Sequence, residues 1–222
     1  MNDQLPLDLA VEPDYSVSAF LRGTCNQEAW VALTDANPLA ANPWANRVLA
    51  LVGPLGSGKT HLGHIWAERQ PAIKLDGLDK FKPKREWRGR SLWIDNAASA
   101  DEFTLFTLIN LAITSDIEAL LLTDRSAPSE WDVQIPDLHS RLRNVQTVKL
   151  SEPDDDVLMD IVDKLFKDRG LRVSMGVIQY LVANTDRSVN ALRVLIVKLD
   201  EYAAQEKINV TRSFVAKFLQ NH

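Results

Sequence analysis

The sequence has little cysteine, no long hydrophobic run and no excess of basic charge. Cys25 is the one cysteine among 222 residues, so no disulfide can form within the chain, and zinc sites built on several cysteines are excluded. No stretch approaches the ~20 apolar residues of a membrane helix. The N-terminal segment, MNDQLPLDLAVEPDYS, has no basic region followed by an apolar core, so it does not predict a secretory signal. We therefore expect a cytoplasmic protein, away from membranes, in which Cys25 is a buried thiol.

The charge balance is acidic. Twenty-five Lys and Arg residues stand against 30 Asp and Glu residues, which gives a net charge of −5 and a pI near 5.4. This balance argues against a dedicated binder of duplex DNA, which usually has a basic domain. One local exception is the basic segment 80–90, KFKPKREWRGR, which contains Trp87. Such a segment is more often a solvated loop, although a basic run with an aromatic residue can also stack on single-stranded nucleic acid.

The first part of the chain alternates short apolar runs with amphipathic segments, notably 60–69 and 101–113. Continuous apolar runs that alternate with helices indicate a buried, mostly parallel sheet covered by helices on both faces. The predicted fold class is therefore α/β. The apolar runs are RVLALVG (47–53), AIKL (72–75), SLWID (91–95), ALLLTD (119–124) and QTVKL (146–150).

After Leu150 the strand pattern stops and helical periodicity takes over. The segment SEPDDDVLMDIVDKLFKDRG begins with Ser151 as a candidate N-cap and ends with Gly170 as a stop signal. Further helices are expected after Ser174, around 187–205 and after Thr211. We predict three parts: a flexible tail (1–16), an α/β nucleotide-binding domain (17–150) and a small all-α lid domain (151–222).

The strongest chemical signal is a complete G-x-x-x-x-G-K-[ST] motif between a predicted strand and a predicted helix. Its residues are Gly53, Pro54, Leu55, Gly56, Ser57, Gly58, Lys59 and Thr60. Glycines in such a loop let backbone N–H groups turn towards phosphates, and the helix N-terminus adds a partial positive charge. Lys59 would contact the β- and γ-phosphates, and the Thr60 hydroxyl would bind Mg²⁺. The alternative is a glycine-rich turn that binds nothing.

A second motif supplies a carboxylate at the end of an apolar strand. Leu92-Trp93-Ile94-Asp95 is typical of a Walker B strand, whose acid holds Mg²⁺ directly or through water. The alternative role for Asp95 is to cap the following segment. The next residue is Asn96, a neutral amide that can orient water but cannot accept its proton. We therefore expect feeble ATP hydrolysis by the chain alone.

Several segments together resemble the AAA+ core of the DnaA family, over roughly residues 16 to 220. They are FLRGTCNQEAW (20–30), GPLGSGKTHL (53–62), LLLTDR (120–125) and DLHSRL (137–142). The resemblance implies that His61 belongs to the nucleotide site, and that Asp124 lies near the γ-phosphate as sensor 1. It also implies that Arg141 is an arginine finger; Arg143 is a nearby rival, and a surface ion pair is the alternative role for Arg141.

The lid segment departs from the family pattern. In RSVNALR (187–193), the usual sensor 2 arginine position holds Asn190. Arg193 lies three residues further on roughly the same helical face and could replace it. Weak contact with the γ-phosphate would favour ADP, although either ADP or ATP with Mg²⁺ fits the motifs.

The sequence also resembles the regulatory members of the family that inactivate DnaA. The shared features are Asp95 followed by Asn96 and an N-terminal segment of the sliding-clamp-binding form, with Gln4, Leu5, Leu7 and Leu9. An extended peptide of this kind offers a polar side chain and alternate leucines to an apolar groove, unless it folds back as a hydrophobic anchor. Ile73 to Ser91 is short for the extra helices with which initiators hold single-stranded DNA. Because the sequence ends after the predicted lid, we expect no helix-turn-helix domain.

The resemblance implies a regulator that binds the sliding clamp and DnaA and stimulates hydrolysis of ATP bound to DnaA. Contact with DNA would be weak or indirect, the basic segment could meet DNA or DnaA, and self-association stays open. Two other classes compete. A stand-alone ATPase such as a helicase loader would show robust turnover, and an initiator fragment would show salt-sensitive DNA binding.

Overall fold

The computed structural model describes residues 14–34, 44–79, 82, 84–185 and 188–221. Its centre is a five-stranded sheet in which every neighbouring pair of strands is parallel, in the order β2-β3-β4-β1-β5. The predicted parallel sheet is confirmed, and each strand falls within or one residue beyond a predicted run. The strands are β1 (Val48–Val52), β2 (Ile73–Asp76), β3 (Ser91–Asp95), β4 (Ala119–Asp124) and β5 (Gln146–Lys149).

Helices α1 and α2 lie on one face of the sheet, helices α3 and α4 lie on the other, and α5 to α8 follow β5. The predicted pattern of an α/β unit followed by an all-helical region is confirmed. The helices are α1 (Gln27–Thr34), α2 (Lys59–Arg69), α3 (Glu102–Ile113), α4 (Pro136–Leu142), α5 (Asp155–Asp168), α6 (Met175–Asn184), α7 (Val189–Glu206) and α8 (Arg212–Asn221).

The continuous apolar run of β1 is explained by burial on both faces of the strand. Val48, Ala50 and Val52 belong to the core beneath α3 and α4, whereas Leu49 and Leu51 belong to the core beneath α1 and α2. Side chains alternate between the two faces of a strand, and here both faces are covered. All five side chains are buried as a result.

The helical region has a hydrophobic core of its own. Its fully buried members come from four helices and include Phe166, Leu181, Leu192 and Val215. The prediction that Ser151 caps the first of these helices is wrong. Helix α5 begins later, because the Asp154 side chain accepts a hydrogen bond from the Val157 N–H at 3.0 Å. The Ser151 N–H instead donates to the Cys25 carbonyl at 3.0 Å.

The segment before α1 links the α/β unit to the start of α5. The Thr24 hydroxyl donates to Asp154 Oδ2 at 3.2 Å. Cys25 is half-buried, not fully buried as predicted. Burial, followed by the nearby Asp154 carboxylate, raises the pKa of its thiol. Cys25 therefore stays a protonated thiol near neutral pH.

The basic segment is anchored by its tryptophan. Trp87 lies in a short 3-10 turn and is 2% exposed, in the core beneath α3. Stacking of Trp87 on a nucleic-acid base is therefore excluded, since the sheet and α3 already cover the indole. Arg88 pairs with Asp116 at 3.8 Å.

In the described part of the chain, no helix has both the length and the apolar character needed to cross a membrane.

Candidate nucleotide-binding site

The G-x-x-x-x-G-K-[ST] loop connects the end of β1 to the start of α2. Gly58 is the residue before α2, and its φ of 96° belongs to the left-handed region that favours glycine. A Cβ atom at Gly58 would lie 3.1 Å from the Phe20 ring. The loop therefore turns into α2 in a conformation that leaves the first N–H groups of the helix directed at the loop.

Lys59 folds back over this loop. Its Nζ donates to the carbonyl oxygens of Gly53 and Pro54, both at 2.8 Å. Burial lowers the pKa of the Lys59 ammonium, whereas the Asp95 and Asp124 carboxylates act in the opposite direction. A partly desolvated ammonium bonded to backbone carbonyls is well suited to exchange those acceptors for phosphate oxygens.

Thr60 and Asp95, the two predicted magnesium ligands, contact each other next to Lys59. Thr60 Oγ1 donates to Asp95 Oδ2 at 3.1 Å. The other carboxylate oxygen, Oδ1, accepts a short bond of 2.6 Å from the Thr123 hydroxyl, which itself accepts from Trp93 Nε1 at 3.0 Å. A hydroxyl and a carboxylate held in this way are oxygen ligands of the type that Mg²⁺ prefers. The residues present therefore fit the ion.

Thr123 is a site residue that the motif search missed. It is fully buried on β4 and orients the Asp95 carboxylate from the neighbouring strand. The available signal was a single hydroxyl within the otherwise apolar run ALLLT. A buried hydroxyl needs a partner, but only the strand order shows that this partner is Asp95.

Asp124 lies at the end of β4, opposite Val52 of β1. Its Oδ2 accepts from the Ala98 N–H at 2.8 Å, and its Oδ1 accepts from the Arg125 N–H at 2.6 Å. The carboxylate thereby holds the loop after β3 against β4. A γ-phosphate contact by Asp124 stays a prediction.

Asn96 turns away from the phosphate-binding loop. Its φ is 53°, and its side-chain amide donates to Asp76 Oδ1 at 3.1 Å at the end of β2. Asp76 is a second residue that the motifs did not indicate. The Asp76–Asn96 contact uses the amide as a donor, and an amide cannot accept a proton from water.

The segment that precedes α1 crosses the outer side of α2 through aromatic contacts. Tyr15 stacks on His64 with ring centroids 4.1 Å apart, and Phe20 meets His61 edge-on at 5.1 Å. His61 Nε2 lies 2.8 Å from the Ser16 carbonyl. Burial lowers the pKa of both histidines, so both are neutral near pH 7. The His61 ring is therefore engaged by Ser16 and the aromatic residues, and its membership of the nucleotide site stays a prediction.

His61 and His64 lie one turn apart on α2. Within the described ranges, no group of three or more His, Cys, Asp or Glu side chains is arranged to hold an ion. Packing of His61 and His64 against aromatic rings explains their positions on one face of α2.

The two candidate finger arginines follow each other around the end of α4. The Arg141 guanidinium lies over the Phe106 ring at 5.3 Å and is half-buried, whereas Arg143 is exposed. Arg141 lines a cavity of about 580 Å³ together with Val48, the first residue of β1. The phosphate-binding loop follows the last residue of β1, which is four residues or roughly 13 Å further along the strand. Arg141 thus lies near the amino end of β1, whereas the phosphate-binding loop of the same chain lies at the carboxyl end of that strand.

The start of α7 closes over the phosphate-binding loop. The Asn190 N–H lies 2.9 Å from the position that a Cβ atom on Gly56 would take. Asn190 is half-buried there, and Arg193 is exposed one turn further along α7. Replacement of the sensor 2 arginine by Arg193 stays a prediction.

The predicted clamp-binding residues lie outside the described residues; they are Gln4, Leu5, Leu7 and Leu9.

Comparison with known sequences gives distant relatives. No family model matches the chain. An uncharacterised protein of Haemophilus influenzae is 24% identical over 99% of both chains. The initiator protein DnaA of Lactobacillus johnsonii is 25% identical over 94% of this chain and 51% of its own length. The chain therefore spans about half the length of the DnaA protein that it matches.

Comparison with solved structures shows the fold. Domain III of the Thermotoga maritima initiator DnaA superimposes with a TM-score of 0.76 and 20% identity, over 94% of this chain and 97% of that domain. DnaA of Aquifex aeolicus bound to AMPPCP superimposes with a TM-score of 0.68 and 20% identity, over 89% of this chain and 68% of that one.

The chain has the AAA+ fold of DnaA domain III. The DnaA fold expected from the quoted motifs is confirmed by this similarity. The Aquifex aeolicus protein binds an analogue of ATP. In the present chain the phosphate-binding loop lies between β1 and α2, and Thr60 contacts Asp95; binding of nucleotide and Mg²⁺ by these residues stays a prediction.

Proposed function

We propose that the chain binds ADP or ATP with Mg²⁺ and acts as a DnaA-related regulator similar to Hda, stimulating hydrolysis of ATP held by DnaA. Nucleotide binding is supported by Lys59, whose Nζ donates to two loop carbonyls, and by the Thr60–Asp95 contact of 3.1 Å. Mg²⁺ bound there would bridge phosphate oxygens and neutralise their charge. The first experiment is a titration with a fluorescent ADP analogue, in which Lys59→Ala is expected to lose binding.

Feeble turnover by the chain alone is part of this proposal. An efficient ATPase needs a group that orients and deprotonates the attacking water. The residue after Asp95 is an amide bonded to Asp76, which cannot act as that base. We expect little ATP hydrolysis by the pure protein. Robust turnover would favour the competing function, a stand-alone ATPase such as a helicase loader.

The position of Arg141 is the observation that carries the regulatory role. Arg141 shares a cavity with Val48 at the start of β1, whereas its own phosphate-binding loop begins after Val52. A guanidinium so placed cannot reach a nucleotide in its own site, but an adjacent subunit can bring its nucleotide to this edge. Stacking on Phe106 holds the guanidinium half-buried and oriented.

The partners in this proposal are DnaA and the DNA polymerase sliding clamp. The clamp would take the N-terminal residues Gln4, Leu5, Leu7 and Leu9. Binding to the clamp would bring the chain to replicated DNA, so that contact of the chain itself with DNA need only be weak. The domain arrangement proposed from the sequence, with a tail before residue 17 and a lid from residue 151, suits this role.

The test combines the pure protein with DNA-loaded clamp and DnaA bound to radiolabelled ATP. We expect hydrolysis to accelerate by ~10³-fold or more if Arg141 stabilises the transition state in trans. Arg141→Ala should abolish the acceleration while leaving ADP binding and clamp binding intact. Arg143→Ala tests the rival finger candidate and should keep the acceleration, since Arg143 is exposed near Arg141. An Arg141→Ala protein that still accelerates hydrolysis would overturn the finger assignment.

A further inference from the structure

Lys74 is a charged residue of the site that none of the motifs includes. It lies on β2, and its Nζ is 3.9 Å from Asp95 Oδ2. The same carboxylate oxygen accepts the hydrogen bond from Thr60. The Lys74 ammonium therefore lies next to the two groups that would hold Mg²⁺.

The surroundings of Lys74 hold its ammonium in place. Lys74 is paired with Trp93 across the sheet, and its Nζ lies over the Trp93 ring at 4.6 Å. It also donates to His64 Nε2 at 3.4 Å. Burial, with the Lys74 charge as the second cause, lowers the pKa of His64. A neutral His64 can accept this bond, so the exposed Lys74 ammonium contacts three neighbours: Asp95, Trp93 and His64.

Asp95 is the group on which this charge acts. Its side chain is only 13% exposed, so water contributes little to stabilising its negative charge. Either a divalent ion or a fixed ammonium can do so instead. An ammonium near the same oxygen also repels a divalent ion, because like charges repel. The Lys74 side chain is 39% exposed, so water screens part of this repulsion.

We infer that Lys74 sets the metal dependence of this site: it substitutes for part of the charge of Mg²⁺ at Asp95, so that nucleotide binds with little need for the ion. The inference rests on the proposed binding of nucleotide at Lys59 and Thr60. Lys74 is a specificity-determining residue here, because it selects between metal-bound and metal-free nucleotide through Asp95.

The experiment measures the dissociation constant of a fluorescent ADP analogue in Mg²⁺ and in EDTA. For the natural protein we expect the two values to differ by less than about threefold. In Lys74→Met, which keeps an apolar stem over Trp93, we expect the difference to rise to about tenfold or more. The rise should come from tighter binding in Mg²⁺ and weaker binding in EDTA.

Three further variants make the result specific. Lys74→Arg keeps the charge and should retain the small difference, and Lys74→Gln should follow Lys74→Met. Lys217→Met removes an exposed lysine on α8 and should behave as the natural protein. Thermal melting identifies a variant that fails to fold. In that case the test is the ratio of the dissociation constants of the natural protein in Mg²⁺ and in EDTA. A difference of tenfold or more in the natural protein would overturn the inference.

The outcomes separate this inference from the proposed function. If the natural protein binds the analogue in neither buffer, the proposed nucleotide site fails. If it binds, but Lys74→Met weakens binding equally in both buffers, Lys74 is a phosphate ligand and the inference is wrong. An unchanged dependence on Mg²⁺ in Lys74→Met would equally refute it.

Discussion

At the scale of single residues, the end of β3 places the acid proposed to bind Mg²⁺ directly before a residue that suits a left-handed backbone. Asp95 is held by hydroxyls from both sides, Thr60 and Thr123. Asn96 follows with a φ of 53°. Asn enters the left-handed region more readily than most residues, because its short polar side chain can bond locally. Asn96 thus turns the chain after the strand, but it cannot supply a base.

We expect Asn96→Ala to lower the free energy of unfolding by about 1 kcal/mol, because alanine at this φ is strained. Asn96→Gly removes the same hydrogen bond to Asp76 without the strain and should be more stable than the alanine variant. Urea denaturation of both variants measures the difference. Equal stability of the two would show that the backbone conformation carries no strain.

At the scale of elements, carboxylate caps fix the starts of α3 and α5. Asp101 accepts bonds from the N–H and the hydroxyl of Thr104 at 2.9 and 2.8 Å, and α3 begins at the next residue. Asp154 plays the same part for α5. A cap satisfies an N–H group that has no partner within the helix. The start of α3 matters to the site because the loop before it runs back to Asp95.

We expect Asp101→Ala to cost about 1 kcal/mol of stability at pH 7. The two bonds from Thr104 lower the pKa of Asp101 in the folded protein. The Asp101 carboxylate therefore contributes to the free energy of unfolding at pH values above its own pKa in the unfolded chain, and this contribution is lost as the pH falls below about 4. Urea denaturation between pH 7 and 3 should show this loss in the natural protein. Asp101→Asn keeps a cap without a titrating group, so a matching loss in that variant would contradict the assignment.

At the scale of the whole molecule, the phosphate-binding loop lies between two hydrophobic cores. Gly56 has a φ of 78°, and a Cβ atom there would approach the Asn190 N–H and the Val189 side chain within 2.9 and 3.3 Å. Val189 belongs to the core of the helical region. Nucleotide binding at the loop is therefore expected to depend on how closely α7 approaches it.

Gly56→Ala should weaken ADP binding by about tenfold, because the added methyl group forces α7 away from the loop. The matched control is Gly89→Ala, since Gly89 has a similar φ of 67° and open space around it. Both variants carry backbone strain of ~1 kcal/mol, but only Gly56→Ala places this strain in the phosphate-binding loop and disturbs the contact with α7. Titration with the fluorescent ADP analogue compares them. Equal affinities would mean that the helical region does not contribute to the site.

The sequence by itself determined the five strands, the helices α2, α3 and α5 to α8, and the place of the G-x-x-x-x-G-K-[ST] motif between a strand and a helix, because local periodicity and a contiguous motif encode them. The contact between Thr60 and Asp95 depends on the strand order and was not predicted. It misplaced the start of α5 at Ser151, because several residues in SEPDDD can act as a cap and only the packing selects Asp154. Thr123, Asp76 and Lys74 reach Asp95 or Asn96 from other strands, and strand order is a long-range property that no local pattern contains. The tertiary structure likewise decided that Arg141 lies near the amino end of β1 and away from the phosphate-binding loop at its carboxyl end. In a parallel sheet these two ends lie on opposite sides of the molecule.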